Sequence, residues 1–329
     1  MGDLPSSRIE APERAFSCVG LDFAGPLTFR CGSDSVKGYA AVFVCFASKA
    51  VHLEAVSSLT SDAMVAALRR FIARRGSPSQ IVSDNATNFV GARRDLIELD
   101  KMVKDCAQKY KYIEWHFIPP RSPNFGGLWE AAVKSMKHHL RRVMKNAVLT
   151  FEEMTTVLCQ IEQVLNNRPL MALTNNPDDI YALTPSMLVN GSRLDAIPQP
   201  GLQKADQCPV KRFRALQQLL SQFWKRWSSE YVASLQPRGK WRHECANLAV
   251  DNVVLVTDDG IPPLQWSLGR VIQVKLGHDG LARVALVRTP RGEFTRPISK
   301  LRPLPIEDND LQTTKADKIA VDCKQDKSS

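Results

Sequence analysis

The sequence predicts an α/β fold: three strands, then helices and two further strands in the order βββαβαβα, followed by more helices and a small C-terminal β-barrel. Three observations carry this. Residues 39–48 form a continuous apolar run, the mark of a strand buried on both faces. Three later segments place apolar residues at helical spacing. Beyond Trp241, short β-rich runs are separated by Asp259-Gly260 and Asp279-Gly280, which supply turn chemistry between strands.

Taken in order, residues 1–15 are a polar, proline-containing lead-in. Phe16 to Phe23 alternates, with Val19, Leu21 and Phe23 on one face, and Gly25-Pro26 is expected to end that strand. Tyr39 to Ser48 and Val51 to Val56 complete an antiparallel meander. Thr60 or Ser61 caps a helix running to about Arg75, which Gly76-Ser77-Pro78 stops. Gln80 to Ser83 is a short strand, residues 88–109 a helix, and Tyr112 to Phe117 a fifth strand. The Pro119 to Gly127 segment is a shaped loop. Helices follow from Leu128 to about Asn146 and from Phe151 to Asn166. This core is expected over residues 16–189. Prolines 198, 200 and 209 and glycines 191 and 201 mark 190–209 as a linker. A basic domain follows over 210–305. It opens with a helix from Lys211 to Leu235 and continues with strands near 253–257, 268–276, 282–289 and 293–298. Residues 306–329 are polar enough to read as a disordered tail.

The chain has 329 residues and a formal net charge of +10. Residues 1–100 carry 11 basic and 11 acidic side chains, residues 101–200 carry 12 and 9, and residues 204–302 carry 17 and 8. The surplus therefore belongs mainly to the C-terminal part, where a polyanion partner is the usual reading and solubility the alternative. No apolar run is long enough to span a membrane and no secretory signal is visible, so neither a membrane partner nor secretion is expected. The 8 cysteines include no C-x-x-C pair. Buried thiols in a reducing compartment fit best, and no zinc is expected. His116, His138 and His139 match no zinc spacing either.

The informative feature is the placement of three acidic residues. Asp22 lies in the first strand, Asp84 ends the fourth, and Glu130 falls in the first turn of the helix after the Gly-Gly loop. Ligand sites in α/β sheets collect where strand ends and helix starts converge. Gathered carboxylates repel and need cations to stay ionised, and oxygen-only ligands suit Mg²⁺ or Mn²⁺. Two such ions serve phosphoryl transfer by activating the attacking oxygen and stabilising the leaving one. Taken singly, Asp22 reads equally as a turn residue, Asp84 as a helix cap and Glu130 as compensation of a helix dipole.

Three motifs carry a resemblance. Val19-Gly20-Leu21-Asp22-Phe23-Ala24-Gly25-Pro26 resembles the first-aspartate segment of retroviral and retrotransposon integrases. Ser83-Asp84-Asn85-Ala86-Thr87-Asn88-Phe89 is similar to their second-aspartate motif, and Ser122 to Glu130 to their glutamate motif. Asn166-Asn167-Arg168-Pro169-Leu170 and Leu183-Thr184-Pro185 resemble segments that follow in LTR-element integrases. The closest resemblance is to the BEL/Pao class, whose C-terminal domain has its counterpart from Arg226-Trp227 to Leu304. It implies a ribonuclease-H-like core with a D,D,E site in which Asp22, Asp84 and Glu130 hold two Mg²⁺ or Mn²⁺ ions. It also implies a polynucleotidyl transferase and endonuclease that processes element ends and joins them to target DNA. A homo-multimer acting in the nucleus after passage through the cytoplasm completes the implied picture. Two departures stand beside it: Ala86 where glycine is common and Asn88 where an acidic residue is common. The 45 residues between Asp84 and Glu130 exceed the usual retroviral spacing. The Met1 to Pro5 stretch resembles the interior of a longer polyprotein. The alternative implied reading is therefore a domesticated or fragmentary DNA- or chromatin-binding protein without catalysis.

Helix geometry adds an argument of its own. At 100° per residue, Lys134, Lys137 and Arg141 fall within about 40° of Glu130, while Leu128, Ala132, Met136 and Val143 cluster opposite. Such a face suits a phosphate backbone, and its alternative is a solvated basic face. Asn85 is expected to orient the Asp84 region toward DNA. In the C-terminal part Lys211, Arg212, Lys240 and Arg242 alternate with aromatics, suiting backbone contact with stacking. The tryptophans there serve equally well as core.

Overall fold

Apolar alternation in the first third of the chain builds a five-stranded mixed sheet. The computed structural model describes residues 14–84, 89–94, 113–118, 127–145, 147–173, 181–192, 211–235, 248–257, 265–277 and 281–305; the side chains of 127–133 and 211 are not included. Strands β1 (Cys18–Cys31), β2 (Asp34–Cys45) and β3 (Val51–Val56) form an antiparallel meander. Helix α1 (Ser61–Arg75) then leads to β4 (Gln80–Ser83), which runs parallel to β1, and β5 (Glu114–Phe117) runs parallel to β4. The sheet order is β3-β2-β1-β4-β5. Residues 89–94 are helical, and the rest of the helix expected to 109 lies outside the described residues. Helices α2 (Gly127–Met144), α3 (Phe151–Asn166) and the short α4 (Pro185–Asn190) follow.

The first strand departs from expectation. Gly25-Pro26 does not end it. The register with β2 passes from Ala24↔Ala40 to Leu27↔Gly38, so β1 holds one extra residue at this point. A bulge of this kind absorbs a proline that cannot donate to the ladder. Gly25 is required there: a Cβ would meet Tyr39 Cδ1 at 2.6 Å.

The core beneath this sheet joins Leu21, Phe43, Met64, Leu68, Phe71 and Ile81, all buried, with the Phe43 and Phe71 rings stacked at 4.3 Å. Of the four cysteines described, Cys45 is buried as expected. Cys31 and Cys159 are exposed instead, one at a strand end and one on the outer face of α3.

Capping fixes where the helices begin. Thr60 accepts from Ala63 N at the start of α1, and Thr184 does the same for α4 through Met187 N. Thr150 and Glu153 form a reciprocal capping box on α3, at 3.2 and 2.8 Å. Thr150→Ala should cost about 1 kcal/mol, read as a lowered urea midpoint. An unchanged midpoint would show that the cap contributes nothing.

The long helix α5 (Lys211–Ser234) packs on α2 and α3 in the same compact unit. The sequence reading grouped it with the C-terminal strands. Its apolar stripe of Leu216, Leu220, Phe223, Trp224 and Trp227 is buried, which gives it a helix-packing partner rather than a sheet. A second unit contains the described residues of 169–183, 235–259 and 266–305. It holds the small pair β6 (Met171–Ala172) and β7 (Ala182–Leu183). It also holds β8 (Val253–Val256), β9 (Leu268–Leu276), β10 (Ala282–Thr289), β11 (Gly292–Pro297) and β12 (Leu301–Pro303). These five make an antiparallel sheet in the order β11-β10-β9-β8-β12 around Val254, Val271, Ala285, Val287 and Leu301. Among the described residues these strands do not close into the expected barrel. No pairing joins β11 to β12 among the described residues, and β12 is only three residues long. No described helix is long and apolar enough to cross a membrane.

Candidate functional site

The parallel pairing of β1 with β4 brings the strand ends that carry Asp22 and Asp84 next to each other. Its last partners are Leu21↔Ser83, so Asp22 and Asp84 are the next residues along adjacent strands, whose spacing is about 4.8 Å. Paired residues in a parallel ladder share a face. Leu21 and Ser83 are buried on one, and alternation assigns positions 22 and 84 to the other. The strand end is held firmly. Ser83 Oγ accepts from Trp115 Nε1 at 2.9 Å and donates to the Asp84 carbonyl at 3.0 Å. Ile118 N continues the ladder onto the Ser83 carbonyl at 2.9 Å. Asp22 is half-buried, and its Oδ1 accepts from Phe23 N at 2.6 Å. Asp84 is exposed.

Helix α2 crosses this corner. The Lys137 ammonium forms an ion pair with Asp22 Oδ2, which fixes the face of α2 that meets β1. Position 130 lies in the first turn of α2. It shares the stripe of Lys137, two turns and about 10 Å nearer the helix start. The Glu130 side chain lies outside the described set, as do Asn85 and the loop of 119–126. Among the described residues no group of three His, Cys, Asp or Glu side chains could hold a metal. Asp22 and Asp84 are both oxygen donors, the ligand type that a hard divalent cation takes.

The geometry corrects the basic stripe. Lys134 and Arg141 are exposed on α2, whereas Lys137 turns into the carboxylate corner. The opposite face, with Met136, Leu140 and Val143, is buried. Arg212 is engaged elsewhere. It forms a two-pronged pair with Glu153, at 2.7 Å for Nη2 to Oε2, and also donates to the Val148 carbonyl at 3.1 Å. That guanidinium holds the Glu153 carboxyl below the usual carboxylate range. Its work is to join α5 to the start of α3. The Lys211 side chain, Lys240 and Arg242 lie outside the described residues. Trp224 and Trp227 are core. Phe223 stacks on Trp227 at 6.2 Å and Trp227 on Tyr231 at 5.2 Å. His139 bonds Glu230 at 2.5 Å across α2 and α5. Burial works against the Glu230 carboxylate, yet hydrogen bonds from His139 and Ser135 keep its pKa low.

Residues 211–304 match a family of unknown function (DUF5641). No curated protein matches the chain. Among solved structures, the chain is similar to the simian T-cell lymphotropic virus intasome in complex with PP2A regulatory subunit B56 gamma. The identity is 16% and the TM-score 0.39, over 93% of this chain and 85% of that one. It is also similar to the HTLV-2 integrase catalytic core domain in complex with magnesium, in its trimeric form. Here the identity is 17% and the TM-score 0.35, over 54% of this chain and 99% of that one.

A polar network on the sheet edge escaped the sequence reading. β3 is an edge strand, and α3 side chains satisfy its outer backbone groups. Asn166 accepts from Val51 N and donates to the Val51 carbonyl, both at 2.8 Å, and Glu162 accepts from Leu53 N at 2.8 Å. His52 lies between Glu54 at 3.0 Å and Glu162 at 3.3 Å. Arg70, Arg74 and Arg75 reach these carboxylates from α1. Asn167 accepts from Ser186 Oγ at 2.8 Å, and Arg168 donates to the carbonyls of Leu165 and Lys49 at 2.7 and 2.8 Å. The two motif segments that follow the glutamate motif are thus linked through Ser186, whose hydroxyl bonds both Asn167 and Thr184. Asn166, Asn167 and Arg168 stand out in the sequence as a motif segment, but nothing in that segment places them against β3.

Proposed function

We propose that this chain is an integrase-like polynucleotidyl transferase with a ribonuclease-H-like core, acting on DNA with Mg²⁺ or Mn²⁺. The observation that carries the reading is the β1–β4 register, in which Leu21↔Ser83 brings Asp22 beside Asp84. The sheet order β3-β2-β1-β4-β5, with three antiparallel strands and then two parallel ones, agrees with the core that the three motifs imply. Asp22, Asp84 and Glu130 are the residues that would hold the ions. When bound, such ions supply a polarised phosphate and a nucleophilic oxygen at neutral pH.

The chain's own residues position and neutralise. The Ser83–Trp115 hydrogen bond fixes the strand end that presents Asp84. Lys134 and Arg141, exposed on α2, offer charge to the phosphate backbone. The reaction runs in two displacements. A water oxygen attacks a phosphodiester near the element end, and the departing strand leaves a 3′-hydroxyl. That hydroxyl then attacks a target phosphodiester, breaking one P–O bond as another forms. Membership of the BEL/Pao class, assembly as a homo-multimer on element ends and target DNA, and action in the nucleus belong to the same proposal.

The test is a joining assay with the full chain on paired oligonucleotides. Joined products are expected with Mn²⁺ or Mg²⁺ and none with EDTA. Retained DNA binding without joining under either metal would favour the non-catalytic DNA-binding reading.

A further inference from the structure

The ion pair between Lys137 and Asp22 has a consequence for metal loading. The two side chains are 17% and 30% exposed, so the pair is shielded from much of the solvent that screens surface pairs. Both Asp22 oxygens are engaged: Oδ1 accepts from Phe23 N and Oδ2 faces the ammonium. The Phe23 bond uses a backbone donor on the same strand and is compatible with a cation on the free lone pairs. The Lys137 bond is not, because a divalent ion and an ammonium cannot share one side of a carboxylate without mutual repulsion. Lysine is suited to being displaced, since it carries a point charge on a flexible four-carbon stem.

We infer that Lys137 is a built-in competitor for the metal. It neutralises and holds Asp22, a divalent ion arriving there must expel its ammonium, and the freed cation becomes available to a phosphate. This rests on the proposed function, in which Asp22 is a metal ligand. It adds that metal binding and phosphate contact are linked through one side chain, and that Lys137 lowers the affinity of the site for metal.

The test is Mn²⁺ binding by the full chain without DNA, read as free-ion EPR signal. Lys137→Met, which keeps the stem and removes the charge, should bind Mn²⁺ roughly fivefold more tightly than wild type, the size of a partly screened ion pair. Lys137→Arg should stay near wild type. Added NaCl should leave most of the gap between Lys137→Met and wild type, because a partly buried pair is screened less than a surface one. A purely structural lysine would not raise the affinity when removed. Should Lys137→Met fold poorly by circular dichroism, Lys137→Gln replaces it in the same comparison. Equal or weaker Mn²⁺ binding in the neutral variant, with binding still lost in Asp22→Asn, overturns the competition and leaves the metal site standing. Mn²⁺ binding that Asp22→Asn does not alter overturns both.

Discussion

Asp84→Asn is expected to reduce Mn²⁺-dependent joining to background, a loss above about 1000-fold. Loss of an outer partner that merely orients a metal ligand typically costs 10–100-fold, so removing a ligand should cost more. Asparagine has nearly the same shape and keeps one oxygen, but it lacks the charge that balances a divalent ion. Asp84 is exposed and follows the strand whose end is fixed by Ser83 and Trp115, so the thermal midpoint should change little. Activity loss without stability loss is the diagnostic combination. Joining that persists in Asp84→Asn would remove Asp84 from the site.

Glu162→Gln should destabilise the chain by about 3–5 kcal/mol, the cost of breaking a buried pair. Glu162 is 8% exposed and serves Leu53 N, Arg75 and His52 together. Glutamine keeps a hydrogen-bonding oxygen but strands the Arg75 charge near β3. The measurement is the urea midpoint at constant m-value, and a loss under 1 kcal/mol would show that solvent compensates the pair. The same network makes stability depend on pH. Burial pushes the His52 imidazole below its ordinary 6.5, with Arg74 and Arg75 adding to the effect and Glu162 opposing it. For Glu162, burial acts to raise the carboxyl, but its bonds to His52 and Leu53 and the Arg75 charge hold it below 4.5. In both cases the unfolded chain binds more protons than the folded one as pH falls. Stability is therefore complete above about pH 6.5 and declines below it, first through His52 and then, below about 4.5, through Glu162. His52→Phe should flatten the upper part of that decline.

What the sequence made legible follows from how local each signal is. Alternation and caps located β3, α1, β4 and α3 because a strand's pleat and a helix's first turn are written in neighbouring residues. Gly25-Pro26 misled because a proline ends most strands, and only the pairing of β1 with β2 reveals a bulge that accepts it. The stripe on α2 was readable as 100° periodicity, but nothing in that periodicity says that Asp22 lies opposite Lys137. Glu162 looked like an ordinary helix residue, and Asn166 stood out only as part of a motif segment, since their task is set by an edge strand more than a hundred positions earlier. Strand runs in the C-terminal part were visible one by one. Whether five strands close or stay open depends on which edges pair, a long-range property. Of the candidate site, the strand-end logic that brings Asp22 to Asp84 was legible, while the commitment of Arg212 to Glu153 needed both helices in place.

On the proposed function, Asp22 and Asp84 share a divalent ion. Anomalous diffraction from crystals soaked in Mn²⁺ tests it most directly. A peak is expected between the two carboxylates, about 2.1 Å from an oxygen of each. A peak elsewhere, with neither Asp22 nor Asp84 in contact with it, would rule out a shared site at these carboxylates.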